Sequence, residues 1–251
     1  MVEILPTKQD MAVAASRHAA NSLRKLLDGQ DIVRLLAATG ASQIEFLDRL
    51  TAARAIDWPR VELFHLDEYV GLGIDHPASF ARYIQQRIVD RTGIVHHHLL
   101  DGTRPPSQVL TAINREIAAA RVDLAFVGIG ENGHLAFNDP PADFETEEPY
   151  LVVTLDPACR AQQVSEGWFR SLDEVPRQAL SISIQQLLRT KEILCIVPEN
   201  RKAAAVKACL QGPVSPLAPA SALRAHPNTT IFLDADSASL LDRDPDHPIS
   251  W

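Results

Sequence analysis

The chain has 251 residues, of which 46% are hydrophobic and 22% are charged, a composition typical of a globular protein with a buried core. Its formal net charge is −8, and its lysines and arginines are scattered with no run longer than two, which argues against nucleic-acid binding, because such proteins carry a basic face. No apolar run reaches the roughly 18 residues of a membrane-spanning helix, and the N-terminal segment does not match a secretory signal, so no membrane partner is expected.

The predicted elements alternate between helices and apolar strands. Helices are predicted at 8–28, 44–55, 78–90, 106–120 and 200–211. Strands are predicted at 32–38, 61–66, 122–130, 152–155, 179–183, 192–198 and 229–234. Near-continuous apolar strands that alternate with helices indicate an α/β fold, with a mostly parallel sheet covered by helices on both faces. We predict one domain over residues 1–251, ending in a loosely held polar tail at 242–251.

Cysteine and glycine are both sparse in this chain. Cys159, Cys195 and Cys209 are odd in number and lack the spacing of metal ligands, which predicts reduced thiols in a cytoplasmic protein. There are only 11 glycines against 17 prolines, so each glycine is expected to stand where the backbone needs one. Because ligands in open α/β sheets bind beyond the carboxyl ends of strands, we expect the site just after residues 38, 66 and 129.

The first of these strand ends is the segment Ala-Thr-Gly-Ala-Ser at 38–42, which leads into a predicted helix. Small residues such as Gly40 and Ala41 let backbone N–H groups approach a phosphate at a helix N-terminus. Thr39 and Ser42 could add hydroxyl donors. The alternative is that Ser42 only caps the helix.

The second strand end carries two adjacent carboxylates, Asp67 and Glu68. Neighbouring side chains leave an extended segment in different directions, so at most one of them faces a given pocket. A partly buried carboxylate there would have a raised pKa and could act as a proton-transfer base. From these residues alone, a solvated pair in a loop is the favoured interpretation.

The third strand end is rich in glycine, with three in residues 128–133 of a chain that has few. His134 lies in this turn, with Asn132 and Asp139 close by in sequence. A carboxylate near an imidazole fixes its tautomer and raises its basicity, which suits proton transfer. We therefore predict a functional His134. The dinucleotide-binding fingerprint is not matched, because no acidic residue follows at the required distance.

Three consecutive histidines at 96–98 suggest a metal site at first sight. Adjacent side chains in an extended segment alternate between faces, so the three cannot all bind one ion. A surface loop or a strand edge is the better interpretation, and no metal is predicted.

The chain resembles the glucosamine-6-phosphate deaminase family in the order and spacing of motifs over nearly its whole length. The specific motifs are LDEYVGL (66–72) and NGHLAFNDP (132–140), and they are joined by the segments at 76–80, 199–213 and 219–234. The resemblance implies a single Rossmann-like domain that binds a small sugar phosphate. It also implies isomerisation and deamination of glucosamine 6-phosphate to fructose 6-phosphate and ammonia, without a metal or organic cofactor.

The resemblance assigns catalytic roles to four residues. Asp67 matches the base that moves a proton between C2 and C1 of the open-chain sugar. His134 matches the group that opens the pyranose ring. Asp139 stands where the family has a carboxylate, usually glutamate, that partners this histidine, and Asn132 matches a position occupied by aspartate or asparagine.

The resemblance also places the substrate phosphate. Lys202 matches a phosphate-binding lysine, and Thr39, Gly40, Ala41 and Ser42 fall on the phosphate loop. The chain departs from the family at this end of the site. A second glycine is replaced by Ala41, whose methyl group restricts φ.

A further departure concerns the arginine that the family places on the phosphate. It belongs to the segment read here as 159–172, but neither Arg160 nor Arg170 matches it in register. The shorter side chain of Asp139 also reduces its reach toward His134. These differences bear on the substrate more than on the class of reaction.

Two other functions compete with the deaminase. A related activity on this fold is 6-phosphogluconolactonase, whose motifs Asp-Glu-Arg and Gly-His-Thr-Ala-Ser differ from the residues here at 67–69 and 133–137. A non-enzymatic sugar-phosphate sensor is the third reading, and it is disfavoured by the absence of a basic DNA-binding segment. The epimer of the substrate and a homo-oligomeric state are left open by the sequence.

Overall fold

The computed structural model describes residues 1–242, and the structural statements below concern that part of the chain. The strands are β1 (Val2–Leu5), β2 (Val33–Ala37), β3 (Val61–His65), β4 (Asp67–Tyr69), β5 (His96–His98), β6 (Leu124–Val127), β7 (Tyr150–Thr154), β8 (Gln178–Ile182), β9 (Glu192–Val197) and β10 (Thr229–Asp234). The helices are α1 (Lys8–Gly29), α2 (Ile44–Thr51), α3 (Phe80–Ile84), α4 (Asp90–Thr92), α5 (Pro106–Ala118), α6 (Pro157–Ser165), α7 (Ile184–Leu188) and α8 (Ala203–Gln211).

Seven strands form one sheet in the order β1-β10-β9-β6-β2-β3-β5, and every pairing in it is parallel. All residues of β2 and β6 are buried, because helices cover both faces of the sheet. Successive side chains enter different cores: Leu36 packs in one and Leu35 in the other. This two-sided burial is why the strands read as continuous apolar runs.

The strand order reverses direction between β2 and β6. From β2 the chain moves outward through β3 to β5, and then crosses back to place β6 on the other side of β2. The loops that leave β2 and β6 therefore diverge. They open a crevice of the kind in which ligands bind in open α/β sheets.

A second, antiparallel sheet of three strands, β4-β8-β7, packs beside the main one and was not predicted. Strand β4 pairs with β8, where Asp67 lies opposite Ser181, so β4 is held by residues more than a hundred positions away. Tyr150, on β7, ties the two sheets together by donating its hydroxyl to the carbonyl of His65 (2.8 Å). The small sheet thus fixes the segment that immediately follows β3.

The predicted α/β fold with a mostly parallel, helix-covered sheet is confirmed, and so are most of its elements. The sequence analysis did not predict β1, β4, α6 or α7. The predicted helix at 44–55 ends at Thr51, and the predicted strand at 122–130 is limited to β6, because residues 128–130 already turn into the crevice. The predicted polar tail lies outside the described residues from 243 onward, and the single domain over 1–251 stays a prediction.

Three smaller expectations can be compared with the structure. The histidines at 96–98 form the edge strand β5, where His98 contacts Glu62 (2.9 Å) and stacks on Phe64. The three cysteines are buried and unpaired. Among residues 1–242, none of the helices has the length and apolarity that crossing a membrane requires.

Candidate active site

The crevice between the ends of β2 and β6 holds a pocket. Its walls come from all three strand ends singled out in the sequence, at 38–42, 66–67 and 128–130. The turn around His134, the C-terminal part of α6 and the side chain of Lys202 complete it. The expected position of the site, just after residues 38, 66 and 129, is therefore where the pocket lies.

The loop after β2 has a different conformation from the one that the sequence suggested. The strained position is Gly40, with φ of 99°, whereas Ala41 begins a short 3₁₀ turn, Ala41–Gln43, and so its methyl group is tolerated. Ser42 does not cap α2, because no side-chain hydrogen bond caps that helix. The Tyr83 hydroxyl donates to the Gly40 carbonyl (3.0 Å) and holds the loop against the helix that follows β4.

Asp67 and Glu68 are both buried, so a solvated pair in a loop was the wrong interpretation. They do point in different directions, as expected: Asp67 lines the pocket, and Glu68 faces the protein interior. Burial, with a smaller contribution from the charge of Glu68, raises the pKa of Asp67 well above its ordinary value. An aspartate with a raised pKa at a pocket wall is suited to accept a proton.

Glu68 anchors the strand that carries Asp67. Its Oε1 accepts the backbone N–H groups of Tyr69 (2.8 Å) and Phe80 (3.3 Å), and its Oε2 accepts the Ser79 hydroxyl (2.7 Å) and the Ala81 N–H (2.8 Å). Burial nevertheless raises the pKa of Glu68, despite these hydrogen bonds. The carboxylate joins β4 to the first turn of α3, and so fixes the position of Asp67.

The glycine-rich turn after β6 is built around the ring of His134. A Cβ atom on Gly130 would lie 2.2–2.3 Å from three atoms of that ring, so only glycine fits there. The turn is closed by the hydrogen bond from the Gly130 N–H to the His134 carbonyl (2.9 Å). The Asn132 side-chain oxygen accepts the His134 N–H (3.1 Å). The glycine thus allows the imidazole to lie flat against the backbone at the pocket wall.

Asp139 lies behind His134, away from the pocket wall. Its Oδ1 is 3.4 Å from His134 Nδ1, an ion-pair separation, and the buried Nδ1 makes no hydrogen bond to the described residues. Asn132 donates to Asp139 Oδ1 and to Asp156 Oδ2, both at 3.0 Å, and the Asp156 N–H donates to Asp139 Oδ2 (3.0 Å). Burial raises the pKa of Asp139, but the contact with His134 and the two donors more than offset it, and the net pKa is lowered.

Lys202 also lines the pocket and is almost fully buried. Burial lowers its pKa, and the nearby carboxylate of Glu166 opposes that effect. The 3₁₀ turn that carries it begins after Glu199, a non-glycine residue with a positive φ of 82°. A strained backbone of this kind persists only where its surroundings hold it in place.

The sequence reading missed Glu166, a buried carboxylate in the same pocket wall as Lys202. Three donors hold it: the amide of Gln162 (2.8 Å), the indole N–H of Trp168 (3.2 Å) and the guanidinium of Arg201 (2.8 Å). Its element, α6, begins with an aspartate cap followed by proline at Asp156 and Pro157, a helix-start signal that could have revealed it.

Neither arginine considered for this end of the site reaches it. Arg160 donates to the carbonyls of Leu172 and Val175 on the outer side of α6. The backbone N–H of Arg170 donates to Glu174. The pocket is therefore lined at this end by one cation, Lys202, and one carboxylate, Glu166.

The structure brings most of the predicted site residues together around one cavity. The pocket is lined by Thr39, Gly40, Ala41, Ser42, Asp67, His134 and Lys202. Asn132 and Asp139 support His134 from behind. Two titratable side chains on different strand ends, Asp67 and His134, thus line one cavity together with a buried cation and a glycine-containing turn.

The chain resembles known proteins over nearly its whole length. A family described as glucosamine-6-phosphate isomerases/6-phosphogluconolactonase matches residues 6–232. Glucosamine-6-phosphate deaminase of Lactobacillus delbrueckii subsp. bulgaricus is 33% identical over 226 residues, which cover 90% of this chain and 94% of that protein. Glucosamine-6-phosphate deaminase of Streptococcus pneumoniae is 32% identical over 220 residues, which cover 87% and 91%.

Solved structures have the same architecture. A monomeric glucosamine-6-phosphate deaminase aligns with a TM-score of 0.88 at 28% identity, covering 96% of this chain and 99% of that one. A 6-phosphogluconolactonase from Thermotoga maritima aligns with a TM-score of 0.78 at 19% identity, covering 93% and 99%. At 19% identity, the likeness to the second structure concerns the fold alone.

Proposed function

The chain belongs to the family of glucosamine-6-phosphate isomerases and 6-phosphogluconolactonases, and we propose that it is a glucosamine-6-phosphate deaminase. The reaction converts glucosamine 6-phosphate and water to fructose 6-phosphate and ammonia. The observation that carries the proposal is the placement of Asp67, His134 and Lys202 on the wall of one pocket. No metal or organic cofactor is needed in this mechanism.

The isomerisation requires one base that reaches two neighbouring carbons. The Asp67 carboxylate takes the proton from C2 of the open-chain sugar and delivers it to C1, which moves the carbonyl equivalent to C2. Burial raises the pKa of Asp67, so its conjugate acid forms readily and can return the proton. Water then adds at C2, and the amine leaves the resulting carbinolamine as ammonia.

Opening of the pyranose ring requires a proton at the ring oxygen. His134 Nδ1 lies 3.4 Å from Asp139 Oδ1, a contact that orients the imidazole ring. The other ring nitrogen is then the one that exchanges a proton with the sugar. Asn132 and Asp139 act as positioning residues in this proposal, because they hold the imidazole and touch no pocket space themselves.

Gly130→Ala tests whether the position of the His134 ring matters. The added methyl group would overlap the imidazole, and the ring would have to move by about 1 Å, a displacement that can lower kcat by roughly 10²-fold. Steady-state kinetics with glucosamine 6-phosphate measure the effect. The matched control is Gly29→Ala, where no atom lies within 4 Å of the new methyl group and kcat should not change. An unchanged kcat in Gly130→Ala would contradict the role of His134.

The substrate phosphate is assigned to the Lys202 end of the pocket. The Gly40 turn offers backbone N–H groups, and Thr39 and Ser42 offer hydroxyls. Lys202→Met is expected to raise KM for glucosamine 6-phosphate by roughly 10–150-fold, the value of one hydrogen bond to a charged group, at about 1.5–3 kcal/mol. kcat should change far less, because the phosphate contact is the same in substrate and transition state.

Glu166, the carboxylate in the same pocket wall as Lys202, gives a test in which KM should change in the opposite direction. Glu166→Gln keeps the shape of the side chain but removes a negative charge from the neighbourhood of Lys202, and we expect KM to fall by roughly 3–10-fold. Inhibition by inorganic phosphate, measured as a competition constant, should strengthen in the same variant. If both Lys202→Met and Glu166→Gln leave KM unchanged, the phosphate binds elsewhere.

One experiment tests the proposed function as a whole. The purified protein is incubated with glucosamine 6-phosphate and, separately, with galactosamine 6-phosphate, and both ammonia and the ketose phosphate are measured. Lactone hydrolysis of 6-phosphogluconolactone is assayed in parallel, because the family includes that activity. Ammonia release with equal ketose formation is expected. Lactone hydrolysis without ammonia from either amino sugar would overturn the proposal.

The cellular setting follows from the substrate. Sugar phosphates are metabolites of the cell interior, and the three unpaired cysteines support the predicted cytoplasmic location. A homo-oligomer and the absence of a nucleic-acid partner stay predictions.

A further inference from the structure

Three side chains with different ligand chemistry meet behind the pocket wall. The Cys159 sulfur, a ring nitrogen of His134 and a carboxylate oxygen of Asp139 all lie within 4.8 Å of one another. His134 Nδ1 and Asp139 Oδ1 are 3.4 Å apart. Zinc bonds to nitrogen and oxygen of about 2.0–2.1 Å, arranged tetrahedrally, put two such ligand atoms about 3.4 Å apart. The distance between His134 Nδ1 and Asp139 Oδ1 therefore equals the distance between two such zinc ligand atoms.

One of the three ligand atoms in this cluster lacks a hydrogen bond. His134 Nδ1 is buried and makes no hydrogen bond to the described residues. Cys159 is buried, and its sulfur lies within 4.8 Å of the ligand atoms of the other two residues. A divalent cation at this position would bind the sulfur, the carboxylate oxygen and Nδ1 together, and its two positive charges would offset one thiolate and one carboxylate.

We propose that Cys159, His134 and Asp139 form a binding site for Zn²⁺ or a similar thiophilic divalent cation. The cation binds as the Cys159 thiol loses its proton to solvent, so one proton is released for each thiol ligated. The three protein ligands leave a fourth position for a water molecule. The site rests on geometry alone and does not depend on the proposed function.

Occupation of the site has a consequence for catalysis, and this part rests on the proposed function. A cation on Nδ1 replaces the contact between His134 and Asp139 and fixes the imidazole in a neutral, ligated form. The ring can then no longer act as an imidazolium acid at the sugar oxygen. Zn²⁺ is therefore an inhibitor of the deaminase and not its cofactor.

Cobalt titration of the chelator-treated full chain tests the site directly. Co²⁺ bound to a thiolate gives a sulfur-to-cobalt charge-transfer band, and four-coordinate Co²⁺ gives intense visible bands. We expect one equivalent to bind with both features, and Zn²⁺ to displace it. The variant is Cys159→Ser, whose hydroxyl can still contact Asp139. The matched control is Cys209→Ser, a buried thiol that packs against Gly133 of the same turn but is not in the cluster.

The outcomes separate the site from the function. Cys209→Ser should retain the charge-transfer band, and Cys159→Ser should lose it together with at least about 100-fold in Zn²⁺ affinity, since even residues that only support a ligand cost 10–100-fold. Circular dichroism of each metal-free variant controls for folding. If Cys159→Ser does not fold, His134→Ala should lose the four-coordinate visible bands. A wild-type spectrum without the charge-transfer band, or a band that survives in Cys159→Ser, overturns the site.

Activity adds a second readout. Zn²⁺ should inhibit wild type and Cys209→Ser, and should inhibit Cys159→Ser only at concentrations about 100-fold higher, each relative to its own metal-free rate. If cobalt binds as expected but no ammonia is ever formed, the metal site stands and the proposed function fails. If Zn²⁺ binds without inhibiting, the role given to His134 is contradicted.

Discussion

Replacing Asp67 by asparagine is expected to lower kcat for ammonia release by roughly 10²–10⁴-fold, the contribution of a positioned general base. The amide has nearly the same shape and lines the same pocket, so KM should change little. In the wild type, kcat/KM should fall as the pH decreases through the raised pKa of Asp67, because only the carboxylate can accept the C2 proton. The asparagine variant should lose that acidic limb. Asp173→Asn, on an exposed aspartate, is the control and should leave kinetics unchanged.

The same variant should be more stable than the wild type at neutral pH. The pKa of Asp67 is higher in the folded than in the unfolded protein. Its contribution to stability is therefore fully present below the unfolded pKa and is lost as the pH rises through the folded pKa. Asparagine has no charge to bury, so its Tm should exceed that of the wild type at neutral pH, and the gap should close toward acidic pH. A variant that is inactive and also less stable would indicate misfolding rather than loss of the base.

Glu68→Ala is expected to lower the free energy of unfolding by about 2–4 kcal/mol. Three backbone N–H groups and the Ser79 hydroxyl lose their acceptor, and an unsatisfied buried group costs about 1–3 kcal/mol before relaxation and the removal of the buried carboxylate offset part of it. Because Glu68 ties β4 to α3, Asp67 should also shift, and a displacement of about 1 Å can cost 10²-fold in kcat.

Urea unfolding and steady-state kinetics, run on the same preparations, measure both effects of Glu68→Ala. The control is Glu147→Ala, on an exposed glutamate with no hydrogen bond among the described residues. Both the stability and the kcat of the control should stay within error of the wild type. Full stability in Glu68→Ala would contradict the anchoring role, and full activity in a destabilised variant would show that Asp67 is positioned by other contacts.

Several features of the fold follow from local sequence. The runs VELFH and LAFV are continuous and apolar because both faces of a parallel sheet are covered, and such runs are visible without any knowledge of the partners. The glycines at 128, 130 and 133 marked the turn that holds His134, and at Gly130 only a residue without a Cβ atom allows that imidazole to approach the backbone.

Other elements were invisible to the same reasoning. The strand β4 has only three residues, which is too short for an alternating hydrophobic pattern to be recognised. It forms because it pairs with β8, more than a hundred residues later in the chain. Helix α6 is short and largely polar, so it lacks a strong apolar face. Cys159, which lies on this helix, and Glu166, which follows it, were therefore not predicted as site residues.

The class of fold, the three strand ends at which the site lies and the chemical types of its main residues could all be read from the sequence. The burial of these residues and the charges beside them could be read only from the tertiary structure. Asp67 is buried by elements distant in sequence, which raises its pKa, and Glu166 lies in the same pocket wall as Lys202. The reason is that hydrophobic period and glycine placement are local, whereas burial and the meeting of charges depend on residues that are far apart in the chain.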